Sequence, residues 1–223
     1  DARGGQILAD ITKDRKIKSV AITYTNNDYG KGLADVYAAA VKNHGIKVTT
    51  VAAHEDGKAD YAAEVATLAS AGGDAVAVIG YLDQGGKGII QGSLDSGAFD
   101  TFILSDGMIG DSLTDAFGKS LNKSFGSLPG STGKGAGVFT KVAKAAGIDS
   151  SGPYTGESYD AAALITLAMQ AGGKADRSTI QQNVMSVANA PGKKIYPGEL
   201  KKALDLLAKG KAINYEGATG VEF

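Results

Sequence analysis

The sequence predicts an α/β fold: a parallel sheet covered by helices, followed by a half that is nearly all helix. Three observations carry this. Through the first half, short apolar segments alternate with stretches of helical periodicity, the spacing of a sheet with helices on both faces. The apolar segments are β-branched and lack polar alternation, as strands buried on both sides require. Beyond Gly135 the strong signals are helical stripes with hardly any strand between them. A chain of 223 residues is long enough for a real core, and its 32 glycines mark tight strand–helix junctions.

Residues 7–11 predict a helix ahead of the first strand. Ser19–Thr25 (SVAITYT) is that strand, and the polar stretch Asn26-Asn27-Asp28 follows it. Leu33, Val36, Tyr37, Ala40 and Val41 then recur at helical spacing, and Asn43-His44-Gly45 ends the helix with Gly45 as a left-handed cap. Residues 47–53 (KVTTVAA) form the second strand. The next helix carries Tyr61, Val65 and Leu68 on one face and closes at Gly72-Gly73. Residues 74–80 (DAVAVIG) are the third strand, and 83–98 a glycine-weakened helix with Ile89, Ile90 and Leu94. Residues 101–104 (TFIL) are the fourth strand, Asp111–Phe117 a short helix, and 124–128 a fifth strand.

In the second half, helical stripes pass through Val138, Phe139 and Val142; Leu164, Leu167 and Ala168; Ile180, Val184 and Val187; and Leu200, Leu204 and Leu207. Such stripes need a surface to bury against, and the sheet that would supply it is missing from the pattern. The Gly/Ser-rich stretch at 126–133 (GSLPGSTG) is read as a crossing between domains.

Several function classes are excluded. Without cysteine there is no disulfide framework, thiolate metal site or cysteine nucleophile. Lys plus Arg is 23 against 24 for Asp plus Glu, a balance that argues against nucleic acid or an anionic membrane as partner. No apolar run approaches the roughly 20 residues of a membrane span, so no membrane insertion is expected. The polar start is no signal peptide, which predicts a mature form, a fragment or a cytoplasmic protein.

The glycine runs at Gly86-Lys87 and Gly133-Lys134 each fail the phosphate-loop pattern at two positions, and the dinucleotide fingerprint after the first strand is absent. The histidines are His44 and His54, neither in a strand-end loop of the kind a triad or metal site needs. His54-Glu55-Asp56 reads as a solvated loop rather than a metal cluster. Residues 156–160 (GESYD) lack the final glycine of a nucleophile elbow, and Thr155 or Ser158 is expected to cap the helix that follows. No catalytic set, metal site or cofactor is therefore expected.

Ligands of parallel α/β sheets sit beyond the carboxyl ends of the strands. That rule selects residues 26–30 (NNDYG), 81–85 (YLDQG) and 105–108 (SDGM), which hold two tyrosines, amides and carboxylates but no histidine, lysine or arginine. Such a rim suits a cationic amine held between aromatic faces and a carboxylate. Asp28 and Asp83 have a simpler reading as helix N-caps. Capping does not account for Tyr29 or Tyr81, since large aromatics in such loops generally have a contact to make.

These residues resemble a known family. Residues 17–32 (IKSVAITYTNNDYGKG) are similar to the second lobe of type I periplasmic binding proteins, the leucine/isoleucine/valine-type amino-acid receptors of ABC transporters. The resemblance continues through residues 55–61 (EDGKADY), 78–81 (VIGY), 105–107 (SDG), 153–154 (PY), 158–161 (SYDA) and 215–223 (YEGATGVEF), nearly the whole chain in order. It implies two α/β lobes joined by three crossings. Residues 1–128 would be the second lobe, 129–134 a crossing, and 135–223 the returning helical segment of the first lobe, without the sheet those helices cover. The chain would then be a fragment. Tyr29 matches the family's loop tyrosine after the first strand of this lobe and Tyr81 the aromatic after the third. Asp106 matches the acidic residue that accepts the ligand's α-ammonium, one methylene shorter than the glutamate of some members. Asn27, Asp28 and Gln84 join them by loop position. The implied function is a periplasmic solute-binding component, not an enzyme. It would capture a free amino acid between lobes and deliver it to a membrane permease. The alternatives are a ligand-sensing domain of a receptor or regulator with the same fold, and a small α/β enzyme.

Overall fold

Helix follows strand in strict alternation through the first half of the structure, a computed structural model that describes residues 2–131, 133–221 and 223. Asp1, Glu222 and Thr132 of the expected crossing lie outside the described residues. The chain divides into two compact units, Asp1–Pro129 and Gly130–Phe223.

The first unit runs α1 (Ala2–Asp14), β1 (Ser19–Thr25), α2 (Asp28–Asn43), β2 (Lys47–His54), α3 (Ala62–Ala71), β3 (Ala75–Ile79), α4 (Gly86–Ser96), β4 (Phe102–Leu104), α5 (Asp111–Phe117) and β5 (Phe125–Gly126). Its five strands pair in parallel in the order β2-β1-β3-β4-β5. Both faces of the sheet are covered, which is why the strands read as apolar runs. On one side Ala75, Ala77 and Ile79 of β3 pack with Val20 and Ile22 against Leu8 of α1 and Leu33, Tyr37 and Val41 of α2. On the other, Val76 and Val78 pack with Phe102 and Leu104 against Leu68 of α3 and Ile89 and Ile90 of α4.

Three details differ from the sequence reading. The strand at 47–53 extends to His54, which is buried rather than part of a solvated loop. The helix expected over 83–98 is a 3-10 turn, Leu82–Gln84, followed by α4, with the break at Gly85. Gly85 has φ of 150°, open only to glycine in practice, and a Cβ there would press into the Tyr61 ring. The fifth strand shrinks from 124–128 to two residues.

The second unit contains α6 (Lys134–Ala145), α7 (Thr155–Gly172), α8 (Arg177–Ala188), β6 (Lys193–Ile195), α9 (Leu200–Ala208) and β7 (Ile213–Tyr215). β6 and β7 pair in parallel, a small sheet that the sequence pattern did not reveal. Ile195, Ile213 and Tyr215 of this sheet pack with Leu164 and Leu167 of α7, Val187 of α8 and Ala203 of α9. Neither Thr155 nor Ser158 caps α7: Tyr154 is the cap residue, at φ of 62°, and the Thr155 hydroxyl turns back to the Ser150 and Gly152 carbonyls. Asp160 of α7 is buried and accepts from the Tyr215 hydroxyl at 2.9 Å, from the backbone N–H of Ala218 and Thr219 at 2.8 Å each, and from the Thr219 hydroxyl. No described helix is long and apolar enough to cross a membrane.

Candidate functional site

The chain leaves β1 for β2 on one side and comes back to β3 on the other. The loops after β1 and β3 therefore diverge, which opens a crevice at their carboxyl ends. β4 delivers the third loop beside β3.

Asn27 caps α2: its Oδ1 accepts from the Gly30 backbone N–H at 2.8 Å, and Asp28 is merely the first helical residue. The expected capping role thus belongs to Asn27, whose amide satisfies an otherwise unpaired donor of the first turn. Asp83 is no cap either; it sits in the 3-10 turn and pairs with Lys87 at 2.6 Å. Capping puts Tyr29 in the first turn of α2, half-buried, rather than at a loop tip. Its hydroxyl donates to Asp106 Oδ1 at 2.6 Å and lies 3.2 Å from Ser105 Oγ. The Tyr29 ring stacks on Tyr81, with centroids 5.4 Å apart and planes 25° apart. Asn27 Nδ2 reaches the Tyr81 hydroxyl at 3.4 Å.

The structure thus brings Asn27, Tyr29, Tyr81 and Asp106 into one network. Among the described residues, Asp28 and Gln84 are exposed and join none of these bonds. The Gln84 carbonyl accepts from the Gly57 N–H and the Tyr61 hydroxyl, and Gln84 lines a separate open groove of about 620 Å³ between the loop at residues 57–61 and α4.

Ser105 is the residue that sequence reasoning passed over. It is buried, and its Oγ accepts from the Gly80 N–H at 3.2 Å. The available signal was a hydroxyl immediately ahead of Asp106, at the end of an otherwise apolar strand. The ends of β3 and β4 are pressed together here, since a Cβ on Gly107 would fall on the Gly80 carbonyl.

Burial, reinforced by the Asp106 carboxylate, pushes the Tyr29 phenol above the ordinary tyrosine range. The phenol therefore stays protonated and remains a donor to Asp106 across physiological pH. One carboxylate oxygen is committed to this bond. A carboxylate has lone pairs to spare, so the other oxygen can take donors from a ligand.

His54 lies behind the same loops. Its Nδ1 bonds Thr23 Oγ1 at 2.9 Å, its Nε2 has no partner among the described residues, and a Cβ on Gly80 would lie 3.1 Å from Nε2. Its neighbours Glu55 and Asp56 are exposed and accept from the Asn26 amide and the Thr25 hydroxyl, each at 2.6 Å. Among the described residues no group of three potential metal ligands converges.

Comparison with known proteins agrees with this fold. A family described as periplasmic binding protein matches residues 2–195. The Leu/Ile/Val-binding protein homolog 3 of Brucella melitensis is 37% identical over 87 residues, 39% of this chain and 24% of that protein. The chemotactic signal transduction system substrate-binding protein BasB of Halobacterium salinarum is 29% identical over 99% of this chain and 52% of its own length. The crystal structure of the leucine-binding protein LivK from Thermotoga maritima superposes with a TM-score of 0.69 at 19% identity, covering 99% of this chain and 57% of that one. That likeness shows the fold. Along BasB, which it matches nearly end to end, the chain spans about half of the relative's length.

Proposed function

The chain belongs to the periplasmic binding protein family, and from that premise we propose that it is the solute-binding component of an ABC transporter. It captures a free amino acid between two lobes, outside the cytoplasm, and passes it to a membrane permease. The observation that carries this reading is the Asp106 carboxylate at the crevice, held by Tyr29 at 2.6 Å beside the stacked Tyr81. A carboxylate with a free oxygen, walled by aromatic rings, suits an α-ammonium group. The leucine/isoleucine/valine names of the relatives support a free amino acid as the ligand. The role is binding without catalysis, needing neither metal nor cofactor.

In this reading residues 1–128 are the second lobe, 129–134 a crossing, and 135–223 helices that return to the first lobe. The exposed Ile165 of α7 and Met185 of α8 support it, because apolar side chains on helices usually find a surface to cover. The remaining contacts to the amino acid then come from the first lobe, and ligand binding draws the lobes together. Asn27 lies in the Tyr81 network, while Asp28 and Gln84 belong to the proposal by loop position alone.

The test is calorimetric titration of the full-length protein with free amino acids, wild type against Asp106→Ala. Removing one partner of a buried charge-assisted bond costs about 2–5 kcal/mol. Affinity unchanged in the variant would overturn the site. A second reading, ligand sensing for chemotaxis, is favoured by the end-to-end match to BasB. A deletion strain separates the two: loss of uptake supports transport, and loss of taxis with uptake intact supports sensing.

A further inference from the structure

We propose that His54 makes capture at the crevice sensitive to pH: the neutral ring seats the turn at Gly80 and Tyr81, and the charged ring displaces it. The proposal rests on the amino-acid reading above and adds a regulating residue behind the same site.

His54 is knitted into the floor of the crevice. It pairs with Thr25 in the β1–β2 register, and its carbonyl accepts from the Asn26 N–H at 2.9 Å, where the loop after β1 begins. Its Nδ1 bonds Thr23 Oγ1 at 2.9 Å, and the Tyr61 ring stands edge-on to it with centroids 6.1 Å apart. The remaining wall is Gly80, where a Cβ would lie 3.1 Å from Nε2 and 3.6 Å from Thr25 Cβ. Nε2 is buried and has no partner among the described residues. A neutral ring that donates from Nδ1 to Thr23 leaves a lone pair at Nε2 and no proton in need of an acceptor.

Protonation changes that. The imidazolium carries an N–H on both nitrogens, and a buried charge without a partner is costly. The anionic groups that face the ring are Glu55 and Asp56 after β2 and Glu64 of α3. β1 and β3 carry no charged side chain. Each carboxylate is already engaged: Glu55 by the Asn26 amide, Asp56 by the Thr25 hydroxyl, and Glu64 by Lys58, whose ammonium also lies over the Tyr61 ring. Relief takes a carboxylate or water moving in at Nε2, where Gly80 stands in the way. The other walls are fixed. Thr23 and Thr25 lie inside the paired register of β1, and the Tyr61 hydroxyl lies 3.0 Å from both the Glu55 and Gln84 carbonyls. Gly80 follows the last β1–β3 pair, Tyr24 with Ile79, and is the wall free to move. Its displacement carries Tyr81 along and presses through its carbonyl on Gly107, the neighbour of Asp106. Burial holds the His54 pKa below the ordinary 6.5, so capture is complete above that pH and is lost as pH falls through the lowered value.

The full-length protein is titrated by calorimetry at pH 7.5 with the common L-amino acids other than histidine. The tightest binder is then followed down to pH 5 with wild type and His54→Asn. Only molecules with neutral His54 bind well, so wild-type affinity should fall severalfold, at most about tenfold per pH unit for one linked proton. His54→Asn keeps an amide for Thr23 and cannot titrate, so its affinity should change little across the same range. Equal falls in the two proteins, or a flat wild type, overturn the proposal. NMR of ligand-free wild type with isotope-labelled glycine and tyrosine needs no variant to fold. The Gly80 and Tyr81 amide shifts should titrate with the midpoint of the His54 ring, and amides that ignore that midpoint overturn the coupling. If no amino acid binds while these amides follow His54, the amino-acid reading falls and the switch stands.

Discussion

His54 is 2% exposed, at the end of β2 and behind the loop that carries Gly80. Burial pushes its pKa below the ordinary 6.5, outweighing the opposing pull of the carboxylates of Asp56, Glu64 and Glu55. The unfolded chain binds a proton at the ordinary value, and the folded one only at lower pH. Between those two values the unfolded state holds more protons, so stability falls as pH drops below about 6.5 and is complete above that window. Thermal midpoints recorded from pH 7.5 to pH 5 should therefore decline in wild type and decline less in His54→Asn, whose amide can still bond Thr23. Equal slopes for the two proteins would show that His54 is not the group responsible. Legibility at this scale followed exposure to a general rule. Tyr29, Tyr81 and Asp106 were selected as candidates because ligands collect at strand ends, and the structure brings the three together. Ser105 and the buried state of His54 were not, because a polar residue at the edge of a strand gives no sign of whether it faces water or the core.

The first turn of α2 does two things at once: it ends the strand and aims Tyr29. A Cβ on Gly30 would run into the Thr25 carbonyl, so the helix starts hard against β1. Asn27 then caps it through Gly30 and also touches the Tyr81 hydroxyl. Asn27→Ala should cost about 1 kcal/mol of stability from the lost cap. Asn27→Asp keeps the cap acceptor and gives up only the amide that donates to the Tyr81 hydroxyl. Chemical denaturation should thus separate the variants, with Asn27→Ala clearly weaker and Asn27→Asp near wild type; the reverse order would remove Asn27 as the cap. Elements of the first unit were legible because β-branched runs and helical stripes are long enough to show a period. β6 and β7 were not, at three residues each and half lysine or asparagine in their sequences (KKI and INY). Their partners come from packing. Tyr215 is buried in the same core as Leu167, and its hydroxyl donates to Asp160 far earlier in the chain. Such long-range anchoring leaves no local pattern to read.

At the scale of the whole molecule, the two units differ in how completely each buries itself. The sheet of the first unit is covered on both faces, by α1 and α2 on one side and α3 and α4 on the other. All five residues of β3 are buried. A unit with its own two-sided core should fold alone. Residues 1–129 expressed as a fragment should melt in one cooperative step. At roughly 0.7 kcal/mol per residue near 60 °C, its unfolding enthalpy should be about 90 kcal/mol. Residues 130–223 have a core of their own around Leu167 and Ile213, yet Ile165 is 45% and Met185 51% exposed on α7 and α8. That fragment should bind a hydrophobic dye and melt broadly, and, in the two-lobe reading proposed above, the dye signal should fall when a first-lobe sheet is supplied. A sharp, dye-silent transition for 130–223 would mean that its helices need no further surface. The assignment of that unit to a larger lobe would then have to be given up, with the site at Asp106 left standing.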